Sequence, residues 1–237
     1  MRWSLEKRRC RKVFKKQQIL NGHYEVIDFI NQRFFSFIYT AKDLESNLEV
    51  AVKQLKFEDE SEVKHEYDTL ILLDPFTYCP TPLEFGAEPQ NASFFIISWE
   101  GKSLHELKEL NNNNKFTSNT TSLILYHTFV AIKFIHERGI AHGDMSSKNV
   151  GIPKNAEKGR IILYGFGCSA PANPITSRQD ILDIMTITGE ISTQNRTLNK
   201  CRDVLENDPN TTVEPLIEMV SEETMFNPDA RFDWELE

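Results

Sequence analysis

The 237 residues carry 27 Lys or Arg against 35 Asp or Glu, a net charge of −8, with 40% hydrophobic content, enough to bury a sizeable core in one large or two small globular units. Cys10, Cys79, Cys168 and Cys201 show none of the close pairing of a zinc site or a disulfide framework, so a reducing compartment is the default. No apolar run approaches the ~20 residues that cross a bilayer and the N-terminus lacks the apolar centre of a signal peptide, which excludes a membrane partner and makes the expected location intracellular, cytoplasmic or nuclear.

Charge is unevenly spread along the chain. Residues 1–20 hold eight Lys or Arg against one Glu, a net of +7 that leaves −15 for residues 21–237. Within this basic leader, taken as residues 1–21, Arg8, Arg9, Arg11, Lys12, Lys15 and Lys16 could form a nuclear-import or nucleic-acid patch. The favoured expectation is a solvated helix that lays Cys10, Val13 and Phe14 against the body of the protein, so nucleic acid is not an expected partner beyond contacts of the leader. Further on, Phe94 to Ser98 reads as a buried strand, and residues 108–122, with Asn111 to Asn114 in a row and a Ser/Thr cluster after them, read as a polar loop. Ile124, Leu125, Thr128, Phe129, Ala131, Ile132 and Ile135 recur at helical spacing and predict a helix buried on a broad face. Gly139 ends that helix.

His142-Gly143-Asp144 follows, with Asn149 five residues after the acid. A carboxylate and an amide at that spacing form half of a phosphoryl-transfer site, and the other half should be a magnesium-binding Asp. After Ile161-Ile162-Leu163-Tyr164 the chain instead reads Gly165-Phe166-Gly167. This stretch resembles the catalytic and magnesium loops of eukaryotic-type protein kinases, whose pattern is His-Arg-Asp, four residues, Asn, then Asp-Phe-Gly. The resemblance runs over almost the whole chain. Tyr24 to Ile27 and Tyr39 to Lys42 are similar to the first two strands of the small lobe, Val50-Ala51-Val52-Lys53 to the third, His65-Glu66-Tyr67 to the start of the helix after it, and Asn227-Pro228-Asp229-Ala230-Arg231 to the late large-lobe signature.

The resemblance implies an α+β, two-lobed fold: a β-rich small lobe over residues 22–99 and a mainly helical large lobe over residues 100–237, joined by a hinge at Ser98-Trp99-Glu100-Gly101. It also implies roles. Asp144 would accept the proton of an attacking hydroxyl, Asn149 would offer its amide oxygen to magnesium, and Lys53, kept extended by Glu66, would hold the nucleotide phosphates. Ile30, Ile38, Ala51 and Trp99 would line the nucleotide site, and Asp180 would anchor the catalytic loop from a helix. The implied cofactors are ATP and Mg²⁺ if the protein is active, and none otherwise.

Three departures bear on activity. The phosphate-covering run Asn31-Gln32-Arg33-Phe34-Phe35-Ser36 has no glycine, although bare backbone amides are what approach phosphates there. Gly165 cannot bind metal, which reduces the metal set to Asn149, a weak ligand alone. About a dozen residues separate Gly167 from Asp180, too few for a regulatory loop and a peptide platform, and Arg231 is left without its usual glutamate. The expectation is therefore a catalytically impaired, pseudokinase-like protein that binds a kinase or a kinase substrate. The alternatives are an active atypical Ser/Thr kinase using Asp144, and, less favoured, a small-molecule phosphotransferase.

Overall fold

Val50, Val52 and Gln54 point to one side of an extended segment and Ala51, Lys53 and Leu55 to the other, and every one except Lys53 is buried. A strand with that pattern has to be central and covered on both faces. It belongs to a computed structural model that describes residues 13–32, 36–56, 61–87, 93–111, 114–154, 158–192, 195–223 and 226–235. The chain divides into two units: Met1–Leu72 with Pro80–Trp99, and Leu73–Cys79 with Glu100–Glu237.

The first unit is a six-stranded antiparallel sheet with one helix. Its strands are β1 (Ile19–Leu20), β2 (Tyr24–Gln32), β3 (Ser36–Asp43), β4 (Glu49–Leu55), β5 (Pro82–Ala87) and β6 (Ser93–Ser98), in the order β1-β2-β3-β4-β6-β5. Residues facing one another across a ladder share a face of the sheet. Phe37, Gln54 and Phe94 are aligned on one face with Tyr39, Val52 and Ile96, while Ile38, Lys53 and Phe95 are aligned on the other. The first face forms an apolar core with Leu20, Tyr24, Val26, Ala41 and Val50, and Phe14 joins it. Helix α1 (Ser61–Leu72) serves the other face, where Tyr67 meets Phe85 at 5.6 Å and Phe95 at 6.0 Å.

Phe14 corrects the expectation for the leader. It is buried to 4% exposure, but Val13 is 45% exposed and residues 13–15 are not helical. A Phe that inserts between sheet residues is held by ring packing and needs no amphipathic helix to deliver it. Cys10, Arg8, Arg9, Arg11 and Lys12 lie outside the described residues. Lys16 pairs with Asp28 at 3.0 Å on the surface.

The second unit is mainly helical. It comprises α2 (Leu104–Leu110), α3 (Ser118–Glu137), α4 (Pro174–Ile191), α5 (Arg196–Asn207) and α6 (Val213–Ser221), with short ladders β7 (Ile140–Ala141) to β10 (Ala170–Pro171) and β8 (Val150–Gly151) to β9 (Ile162–Leu163). The predicted helix is α3, and its expected apolar residues are all buried. The polar loop is much shorter than residues 108–122. Helix α2 runs to Leu110, and Thr117 starts α3 by accepting from the Thr120 amide, so the Ser/Thr cluster is a helix cap and first turn. Asp233 holds that turn from the chain's end, accepting from the Thr117 amide and hydroxyl and from the Thr120 hydroxyl.

Candidate functional site

In the first unit, the pleat of β4 turns Lys53 to the α1 face, where its ammonium donates to Glu66 Oε2. The two side chains are 19% and 6% exposed, so this is a largely desolvated pair and not an ordinary surface contact. Lys53 also lies over the Phe95 ring, 5.9 Å from its centre. Ile38 stands directly across the ladder from Lys53 and is half-buried, and Ala51 is buried on the same face two residues along β4. Ile30 sits at a β-bulge between Phe29 and Asn31, and Trp99 follows β6; both are half-buried. Asn31 and Gln32 end β2 and Ser36 begins β3, but Arg33, Phe34 and Phe35 lie outside the described residues.

In the second unit, α3 stops at Gly139, whose φ of +75° lets the chain turn into β7 and the catalytic-loop residues. His142 is fully buried. Its Nδ1 accepts from the Asp144 amide at 3.2 Å, so Nε2 carries the proton and donates to the Tyr164 carbonyl at 2.8 Å. Asp180, on α4 and fully buried, accepts from the His142 amide at 2.7 Å and the Gly143 amide at 2.9 Å, and His136 contacts the same carboxylate at 2.9 Å. Charge and hydrogen bonds thus fix the loop's backbone from behind.

Asp144 itself is exposed, which the expected role of accepting a proton from an incoming hydroxyl would require. Asn149, on the same loop, turns its amide nitrogen toward Asp144, donating to the backbone oxygen at 2.8 Å and to Oδ2 at 2.9 Å. Gly165 lies against Asn149. It is left-handed at φ +79°, and a Cβ there would stand 2.9 Å from the Asn149 Cγ and Oδ1. A side chain at position 165 would therefore point at Asn149, but none is present. Gly143 is also left-handed, at φ +76°, and a Cβ there would come within 2.3 Å of the Cys168 carbonyl oxygen. The arginine of the family pattern has no room at that position. Beyond Gly165 the chain makes a tight 3-10 turn at Phe166–Cys168, forms β10, and enters α4 through an Asn173 cap and Pro174.

The residues present offer a divalent cation few ligands: among the described residues no group of three or more His, Cys, Asp or Glu could hold a metal, and at position 165, beside the Asn149 Oδ1, a glycine supplies no carboxylate. Asp183, one turn beyond Asp180, is pushed upward in pKa mainly by burial and further by the charges of Asp180 and Asp144, against the hydrogen bond from Gln179. Arg231 is exposed and makes no ion pair among the described residues; Arg160 clamps that segment instead, donating to the Ala230 carbonyl at 2.8 Å and pairing with Glu235 at 2.8 Å.

Two contributors escape a reading of the sequence. His136 pairs with Asp180 from the last turn of α3, with only its place six residues before His142 to announce it. Tyr164 packs its ring against Gly151 and donates its hydroxyl to the Gly101 carbonyl at 3.1 Å, and burial pushes its pKa strongly upward.

A sheet lysine paired with a helix glutamate, and an Asp-Asn loop anchored by a helical Asp, together define the protein-kinase class of α+β fold. The protein kinase domain matches residues 24–189, and the chain belongs to that family. Relatives include a probable serine/threonine-protein kinase of Dictyostelium discoideum, 23% identical over 157 residues, 65% of this chain and 31% of that protein. The probable serine/threonine-protein kinase glkA of the same organism is 29% identical over 149 residues, 61% of this chain and 29% of its own length. The chain thus spans less than a third of either relative. A solved kinase-domain crystal structure superposes with a TM-score of 0.61 at 15% identity, covering 78% of this chain and 68% of the other, a likeness of fold. No helix among the described residues is long and apolar enough to cross a membrane.

Proposed function

We propose that this kinase-fold chain is impaired in phosphoryl transfer and acts by binding a protein partner, either a kinase or a kinase substrate. The observation that carries the reading is at Gly165. The position that would present a carboxylate to Asn149 presents nothing, and Asn149 is hydrogen-bonded to Asp144. Transfer of a phosphoryl group depends on neutralising charge that develops on its oxygens, and the loss of one preorganised group costs about 10²- to 10³-fold in rate. The short turn from Phe166 to β10 supports the same reading, since it leaves little chain on which a peptide substrate could lie.

Thermal unfolding with ATP, with and without Mg²⁺, tests this, using Lys53→Ala as control. A ligand stabilises only the state it binds. The expected result is no magnesium-dependent rise in melting temperature. A clear rise, together with label transfer that Asp144→Asn abolishes, sinks the proposal and favours the second reading, an atypical Ser/Thr kinase using ATP and Mg²⁺. The exposed Asp144, the intact Lys53–Glu66 pair and the Ser/Thr kinase relatives keep that second reading open.

A further inference from the structure

The kinase-domain match begins at residue 24, yet the first unit's core begins ten residues earlier. Residues 13–23 run along the sheet as a strap. The Gln17 amide donates to the Val26 carbonyl at 2.8 Å, while the Val26 amide donates back to the Gln18 carbonyl at 2.9 Å. Phe14 enters the core between Tyr39 and Phe94, with ring centres 5.5 and 5.4 Å away. Its amide donates to the Tyr39 hydroxyl at 3.2 Å, and that hydroxyl donates to Gln54 Oε1 at 2.8 Å. At the far end of the strap, Asn21 donates to Glu84 on β5.

The residues that the strap engages alternate along the chain with those of the Lys53 face. Tyr39 follows Ile38 on β3, Gln54 follows Lys53 on β4, and Phe94 precedes Phe95 on β6. Successive strand residues point to opposite faces, so ordering one member of each pair fixes the backbone that aims the other. The contacts are buried: Tyr39, Gln54 and Phe94 are at most 1% exposed. A close-packed interior transmits a displaced ring to its neighbours and does not absorb it.

We infer that Phe14 is a positioning residue for the Lys53–Glu66 pair, acting through Tyr39 and Gln54 from the opposite face of the sheet. The strap is then a part of the lysine site that lies outside the family module. This holds whether or not the protein transfers phosphate.

The test is acylation of the intact protein with an N-hydroxysuccinimide acetate, followed by peptide mapping of Lys53, well below the unfolding temperature. Glu66→Gln is the positive control. Phe14→Ala is expected to acylate at Lys53 roughly three- to tenfold faster than the natural sequence, within the range for residues coupled through shared packing. Phe14→Leu, which keeps apolar bulk, should return most of that difference, and Tyr39→Phe, which removes the hydroxyl link, should show part of it. Phe232→Ala, a buried aromatic of the second unit, should lower stability while leaving Lys53 acylation unchanged. Unchanged Lys53 acylation in a folded Phe14→Ala protein overturns the inference, as does an equal acceleration in Phe232→Ala. If Phe14→Ala fails to fold, Tyr39→Phe decides alone, and an unchanged rate there is the overturning result. Failure of magnesium-dependent nucleotide binding leaves this readout untouched.

Discussion

The two units keep different things. In the first unit the lysine, its glutamate and the apolar face around them are complete, and the pair is largely desolvated. In the second unit the anchoring network around Asp180 is complete but the groups it presents are altered, with glycine at positions 143 and 165. The two glycines teach different things. At Gly143 an added Cβ would fall 2.3 Å from the Cys168 carbonyl oxygen, so glycine is imposed there by the short return of the chain at Cys168. A Cβ at Gly165 would stand 2.9 Å from the Asn149 Cγ and Oδ1, in a left-handed conformation that Asp tolerates better than most residues. The family's arginine would therefore meet fixed backbone at position 143, whereas an acid at position 165 would meet a side chain, that of Asn149, which has to shift to admit it.

The sharpest way to break the comparison is to remove what holds the loop of the second unit together. Asp180→Ala leaves the buried His142 amide, the part-buried Gly143 amide and His136 without their acceptor and should cost about 3–5 kcal/mol, read as a lower urea midpoint. A loss under about 1 kcal/mol would show that the loop is held by packing instead. Next, Gly143→Arg, which writes the family residue back, should destabilise by about 1–3 kcal/mol from backbone strain before the carbonyl clash is counted, with no gain in nucleotide binding. A neutral or stabilising result would mean that Cys168 moves aside freely.

In the first unit, Glu66→Gln should cost about 1–3 kcal/mol, because it strands most of a charge-paired ammonium out of water. Gly165→Asp should be milder still, about 1 kcal/mol, since Asn149 can swing and the backbone suits an acid. If the missing carboxylate is the only defect, that variant gains a magnesium-dependent rise in melting temperature with ATP; if it gains none, the glycine-free run before β3 is an independent block. The smallest effect involves no change in stability. Burial pushes the Cys79 and Cys201 thiols up to about 12, so they remain protonated and slow to alkylate at pH 8, whereas Cys168 is exposed and should be modified well before them by peptide mapping.

Much of this was legible in the sequence where chemistry restricts residue choice. Asp144, Asn149, Lys53 and Glu66 could be named because few side chains carry a proton, a metal or a phosphate, and their order along the chain is specific. Helix α3 was legible because its buried face repeats at helical spacing. The Ser/Thr cluster was not, since hydroxyl residues serve equally in loops and as caps, and only Asp233, more than a hundred residues away, shows which applies here. Phe14 was half-legible: its burial was expected, but a basic run gives no sign of the partner face or of the extended path. Long-range pairs such as His136 with Asp180 leave no periodic trace at all.

Gly86, on β5, sits beneath the strap's turn. A Cβ there would fall 2.5 Å from the Phe94 ring and 2.6 Å from the Asn21 carboxamide, so any larger residue would have to expel one or the other. The strap's seat is thus recorded 65 residues downstream of Asn21, in a position with no chemistry of its own. Among homologous chains the two should vary together, with a side chain at position 86 tolerated only where the segment before β2 is missing or takes another route.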